Sequence, residues 1–257
     1  MKQLTVFITV IIFSVTGFGQ DTVKQIPATV EVKRVLLGIN ISPDICYRTL
    51  KNNDGSSSSS TIIDIRNNTE KQKFGYTTGL NACYNISKHI GIETGLQYSN
   101  KGYFIKRTGF IYGNMYDPRR GFVSNNSATE PTNAKFIYNY IYLDVPLRLI
   151  FSFGEKRIHL ITGIGVTTNI LLKATQTIIL GYENGDKKRQ TQKPGYNYKS
   201  LDVSPNVSVG IDYRISNKIN LRIEPTFRYG AIKIIDAPIT EYLWNGGLNI
   251  TCYYGLK

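Results

Sequence analysis

Residues 218–230 read KINLRIEPTFRYG. Apolar side chains at Ile219, Leu221, Ile223, Pro225, Phe227 and Tyr229 alternate with Asn220, Arg222, Glu224, Thr226 and Arg228. A period of two belongs to a β-strand with two unlike faces. In a soluble sandwich the charged face would meet water and the apolar face would be buried. In a membrane barrel the apolar face meets lipid and the charged face turns into the lumen. That choice decides the fold.

Seven further runs of this kind surround it, giving strands at about 34–47, 73–86, 90–103, 138–152, 157–173, 200–214, 218–230 and 241–256. The links after the second, fourth and sixth are short: SKH, FGEK and ISNK. Those after the first, third, fifth and seventh are longer, among them NNDGSSSSS, the stretch 104–137 and GYENGDKKRQTQKPGYN. The SSSSS at 56–60 reads as a flexible loop tip. Strict alternation of short and long connections, with an even strand number, is the layout of an outer-membrane barrel. No long segment of helical period is found after the N-terminal apolar run.

The polar face carries Gly79, Gly91, Gly95, Gly163, Gly165 and Gly210 among its charges. Repeated glycine only weakens a water-facing strand, but it makes room for large side chains inside a narrow barrel. Folding about ISNK sets Asp212 opposite Arg222, Gly210 opposite Glu224 and Asn206 opposite Arg228, while Glu93 and Arg148 come to similar heights. Opposite charges across strands attract, and an internal charge needs such a partner. The expected interior charge network is Glu93, Asp144, Arg148, Asp212, Arg222, Glu224 and Arg228. Pro43, Pro146, Pro205 and Pro225 fall within strands, where bulges, strand ends or shifted strand boundaries are expected.

The chain opens MKQLTVFITVIIFSVTGFGQ: one positive charge, an apolar run from Leu4 to Val15, then small residues. This reads as a signal peptide over 1–19, followed by a periplasmic segment over 20–33 and a barrel domain over 34–257. A mean hydropathy of −0.19 does not exclude membrane insertion, because spanning strands alternate in polarity. Tyr is abundant at 18 against a single Trp, which favours strands. The three cysteines, Cys46, Cys83 and Cys252, are odd in number. Cys46 and Cys83 fall near opposite barrel ends, so all three are read as free, half-buried strand residues.

Three stretches together carry a resemblance: GLNACYNISKHIGIETGLQYSNKG, then YIYLDVPLRLIF continuing through GEKRIHLITGIGV, and NVSVGIDYRISNKINLRIEPTFRYG. In their order they resemble the Bacteroidota outer-membrane β-barrel domain, loosely termed the porin family and related to the OmpA-type transmembrane barrel. The resemblance implies an all-β, eight-stranded antiparallel up-and-down barrel in the cell outer membrane. It brings no catalytic residues. With the eighth strand closing the chain, the peptidoglycan-binding domain of full-length OmpA-type proteins is not expected.

Chemistry-bearing constellations are few. His89 and His159 flank short turns, with no nucleophile–base–carboxylate set around them and no metal-ligand spacing. No catalytic residue, metal or cofactor is assigned. Tyr98, Tyr103, Tyr138, Tyr140, Tyr229, Tyr242, Trp244, Tyr253 and Tyr254 lie at strand ends and are read as interfacial girdles. Net charge is +13, with much of the excess in the long connections as Lys106, Arg107, Arg119, Arg120, Lys187, Lys188, Arg189 and Lys193. Such a basic collar suits the phosphates of lipopolysaccharide; an exported barrel has no call on nucleic acid. The leading expectation is a non-enzymatic barrel with a packed polar interior, acting in structure or recognition through these loops. The alternatives are an accessory subunit of an envelope secretion or assembly complex, with other envelope proteins as partners, and a narrow small-solute channel.

Overall fold

In the computed structural model the described residues are 34–108, 114–117, 121–124, 131–154, 157–195 and 197–256. The readings of 1–19 and 20–33 lie outside them. The elements are β1 (Val35–Asn52), α1 (Ser57–Thr69), β2 (Glu70–Asn85), β3 (Ile90–Thr108), β4 (Asn114–Asp117), β5 (Gly121–Ser124), β6 (Pro131–Phe153), β7 (Ile158–Tyr182), β8 (Lys187–Gln192), β9 (Leu201–Arg214), β10 (Ile219–Tyr229) and β11 (Ile239–Gly255).

Hydrogen bonding runs β6-β3-β2-β1-β11-β10-β9-β7, and β6 also pairs with β7, so eight antiparallel strands close into a ring. Strand β8 adds to β7 outside the ring, and β4–β5 is a separate hairpin. Burial answers the question raised by residues 218–230: Arg222, Glu224, Thr226 and Arg228 are buried, whereas Pro225 and Phe227 are exposed. The same inversion runs around the ring. Ile39 is 67% accessible and Ile164 56%, while Glu93 and Asp144 are 0% accessible. A belt of exposed Leu, Ile and Val on each of the eight ring strands is the surface of a barrel solvated by lipid.

The predicted pairings are present as direct ladder partners: Arg222 with Asp212, Arg228 with Asn206, and Glu93 with Arg148. A Cβ at Gly210 would sit 2.6 Å from the Glu224 Cα. One at Gly163 would take the space of the Arg148 guanidinium and the Ser208 hydroxyl. These two glycines are spacers for the charges beside them.

The prolines differ from expectation. The register shifts fall instead at Gln72/Tyr76, Pro131/Asn133 and Ile141/Tyr142. Pro43 pairs with Tyr76 on β2, while its ladder to β11 skips from Ile41 to Asp44. Pro225 pairs with Leu248 on β11, while its ladder to β9 skips from Ile223 to Thr226. A strand residue donates its N–H to one neighbour only, so proline interrupts one side and leaves the other intact.

The 56–60 serine run is a second correction. Apart from Ser56, the cap, it lies inside α1. The Ser56 Oγ accepts the Ser59 backbone N–H at 3.1 Å. The Asp54 carboxyl, held below its ordinary range first by the Ser56 backbone N–H, steadies the same turn. Ser, Thr, Ile and Asn are modest helix formers, so this helix depends on its cap. Ser56→Ala should weaken it by about 0.5–2 kcal/mol, read as faster amide exchange over 57–69 with exchange in the barrel strands unchanged.

Strands β6 and β7 have 23 and 25 residues, well beyond the roughly 9–11 that cross a bilayer. Past Ile170, where β7 parts from β9, they run on toward the long-loop end. There the top of β3, β6, β7 and β8 form a four-stranded sheet.

Candidate functional site: the charged lumen and the basic outer sheet

Near the short-turn end, five of the predicted charges meet. Arg148 Nη1 lies 2.8 Å from Glu93 Oε1, and its Nη2 lies 2.7 Å from Glu224 Oε2. Arg222 Nη1 reaches the other Glu93 oxygen at 2.7 Å, and its Nη2 reaches Asp212 Oδ2 at 3.2 Å. The Tyr253 hydroxyl donates to Glu93 Oε2 at 2.6 Å and the Ser208 hydroxyl to Glu224 Oε2 at 2.6 Å. Every one of these side chains is buried. Charges held this far from water require good geometry and several partners each, and here they come from β3, β6, β9, β10 and β11.

The other two predicted network members stand apart. Asp144 pairs with Lys101 at 3.2 Å, next to Asn169, whose Oδ1 accepts from Lys101 Nζ at 2.8 Å. Arg228 lies 3.8 Å from Asp44. Asp44 is held more closely by the Ser42 and Thr77 hydroxyls, each at 2.6 Å. The seven residues therefore form three groups at different heights rather than one network.

A further group at the long-loop end escaped the sequence reading. Arg48 bonds Glu70 at 2.5 Å. Arg66, on α1, reaches down to Glu70 at 2.6 Å and Glu241 at 3.0 Å. The signal was available in β1: Arg48 keeps the parity of Asn40, Ser42 and Asp44, one residue past the expected strand end. Beside this group Tyr103, Tyr140, Tyr142, Leu243 and Ile234 pack together, with Tyr198 against them. Ile234 comes from the β10–β11 connection, which folds back over the lumen.

This corrects the girdle reading. Tyr103, Tyr140 and Tyr253 are lumen residues, each at most 3% accessible. Tyr138 stacks on Tyr103 at 4.8 Å. Adjacent strand residues point to opposite faces, so Tyr253 and Tyr254 cannot both meet lipid; Tyr254 does. Cys46 and Cys83 are free and fully buried rather than half-buried, and Cys252 is free and exposed.

The four-stranded sheet sorts the basic collar by face. Cross-strand partners form one row: Lys106, Lys135, Ile179 and Arg189. Lys106 is three residues past the lumen-facing Tyr103 in unbroken register, so this row faces outward, continuing the lipid-facing surface. Lys187, two residues from Arg189, joins it. Arg107 and Lys188 share the next row, on the opposite face, and Lys193 lies just beyond β8. Arg119 and Arg120 lie outside the described residues. Lys135 sits over the Phe104 ring at 4.3 Å. Among the described residues none of Lys106, Lys135, Lys187 and Arg189 forms an ion pair. The carboxylates Glu183 and Asp186 belong to the β7–β8 turn, where Asp186 accepts from Asn184.

The family model described as "Outer membrane protein beta-barrel domain" matches residues 34–235. The chain belongs to that family. It is thus an outer-membrane barrel, with its short turns at the periplasmic end and its long connections outside. No curated protein matches the sequence. Among solved structures it is similar to Neisserial surface protein A, at 10% identity and TM-score 0.41, covering 86% of this chain and 97% of that one. It is also similar to OprG from Pseudomonas aeruginosa, at 11% and 0.43, covering 87% and 97%. The outer membrane protease OmpT from Escherichia coli is similar at 10% and 0.39, covering 92% and 99%.

Proposed function

We propose that this outer-membrane barrel is non-enzymatic and closed to solutes, and that its outward basic row binds phosphate groups of lipopolysaccharide. The observation that carries the reading is the row itself. Lys106 and Lys135 are direct cross-strand partners, and like charges so placed repel. Arg189 and Lys187 add to the same face, which continues the lipid-facing surface into the headgroup zone. An anionic headgroup neutralises the row, and Lys or Arg to phosphate is a charge-assisted contact. The packed lumen supports the closed reading: its side chains are buried at every height, from Glu93 near the periplasm through Asp44 and Asp144 to Tyr140 and Ile234.

Charge reversal tests it. Lys106→Glu, Lys187→Glu and Arg189→Glu together should abolish most salt-sensitive association with lipopolysaccharide. Reversal of Arg107 and Lys188, on the opposite face, should leave most of it. Co-purified lipopolysaccharide per barrel, measured across a salt series, is the readout. Equal retention by both variants would sink the proposal.

A further inference from the structure

The opposite end of the barrel carries a second basic feature. Arg34 precedes β1, Lys88 lies in the β2–β3 turn, Arg157 precedes β7, and Arg214 and Lys218 flank the β9–β10 turn. Every short turn therefore holds a cation, as does the edge where β1 begins. Among the described residues no carboxylate sits at this rim, and none of the five cations forms an ion pair. The nearest acids, Glu93 and Asp212, are committed to arginines inside the lumen. Glu155 and Lys156, which balance one another, lie outside the described residues. Arg157 and Arg214 stand directly across from each other, the Arg214 N–H donating to the Arg157 carbonyl at 2.8 Å, so the rim is under like-charge repulsion.

What sits beside these cations says where they are. Lys88 lies between the exposed Ile86 and Ile90, Arg157 next to the exposed Ile158, and Lys218 between the exposed Ile215 and Ile219. An exposed apolar side chain beside Lys88, Arg157, Arg214 and Lys218 is the pattern of an element at the hydrocarbon–headgroup boundary. A soluble acidic partner would require the charges and leave the isoleucines unexplained.

We infer that Arg34, Lys88, Arg157, Arg214 and Lys218 form a ring that selects anionic glycerophospholipids in the inner leaflet of the outer membrane. Their phosphodiesters relieve the repulsion among the arginines, and their acyl chains cover the rim isoleucines. The ring is independent of the extracellular row, so either proposal can fail alone.

The test uses the full chain in vesicles containing spin-labelled phosphatidylglycerol or phosphatidylcholine, with motionally restricted lipid measured by electron paramagnetic resonance. The wild-type protein should prefer phosphatidylglycerol by about fivefold, the factor one Lys or Arg brings near an anionic surface, and lose that preference at high salt. The rim variant Lys88→Gln, Arg157→Gln, Arg214→Gln, Lys218→Gln should show almost none. The extracellular variant Lys106→Gln, Lys187→Gln, Arg189→Gln should keep it. Folding of each is checked by heat-modifiable mobility, with Lys88→Gln, Lys218→Gln as a milder substitute. Equal preference in wild type and rim variant overturns the ring, and so does equal loss in both variants. Rim-dependent capture of soluble polyglutamate without lipid preference replaces it with an acidic protein partner.

Discussion

Arg148→Met will cost the folded barrel about 3–5 kcal/mol, the usual penalty for stranding buried charges. Arg148 is the only described cation within 4 Å of Glu224 and one of two on Glu93. Its loss strips Glu224 of its cation and leaves Glu93 on Arg222 alone, in a space from which water is excluded. The measurement is urea unfolding of the reconstituted protein, read as a fall in midpoint at constant slope. Adding Glu93→Gln and Glu224→Gln should recover most of the loss, because neutral amides no longer need the guanidinium and Arg222 keeps Asp212. A single substitution costing under about 1 kcal/mol, small beside that penalty, would mean that this group does not hold the strands in register.

The second large effect lies on the opposite face. Ile164 is 56% accessible, midway along the ring portion of β7. On a water-facing surface Ile164→Arg would be nearly neutral, within about 0.5 kcal/mol. On a lipid-facing surface the same change should cost about 2–4 kcal/mol near the bilayer midplane. Unfolding from bilayers decides between them, and a neutral result would mean that the outer belt meets water.

Much of this architecture is legible in the sequence because lipid and lumen impose opposite demands on alternate residues. Arg222 and Asp212 could be paired from the turn ISNK alone, since a short turn leaves little freedom of register. Legibility ends where the bilayer ends. Before Tyr138 and beyond Lys173 the alternation of β6 and β7 fades, and the strands run on unseen to Pro131 and Tyr182. Helix α1 was hidden for a related reason: its serines also suit a loop, and what holds it as a helix is the Ser56 cap, the contacts of Asn52 and Asp54 with its first turn, and the bonds that tie Arg66 and Asn67 to the barrel. The tyrosines show a third limit. Composition says that they are plentiful, but only parity, fixed by register, separates lumen Tyr253 from lipid-facing Tyr254. The groups around Asp44, Asp144 and Glu70 depend on contacts between strands distant in sequence, which no local pattern encodes.

The lumen also constrains how the molecule is assembled. The two oxygens of Glu93 are satisfied by Arg148, Arg222 and Tyr253, on strands made long after β3, the last of them 160 positions later. A half-built sheet in hydrocarbon would carry that carboxylate bare, together with the unpaired peptide groups of its open edges. Such an intermediate has no place to rest in the bilayer. Entry into the membrane and closure of the ring are therefore a single event, and the last strand is needed as much as the first.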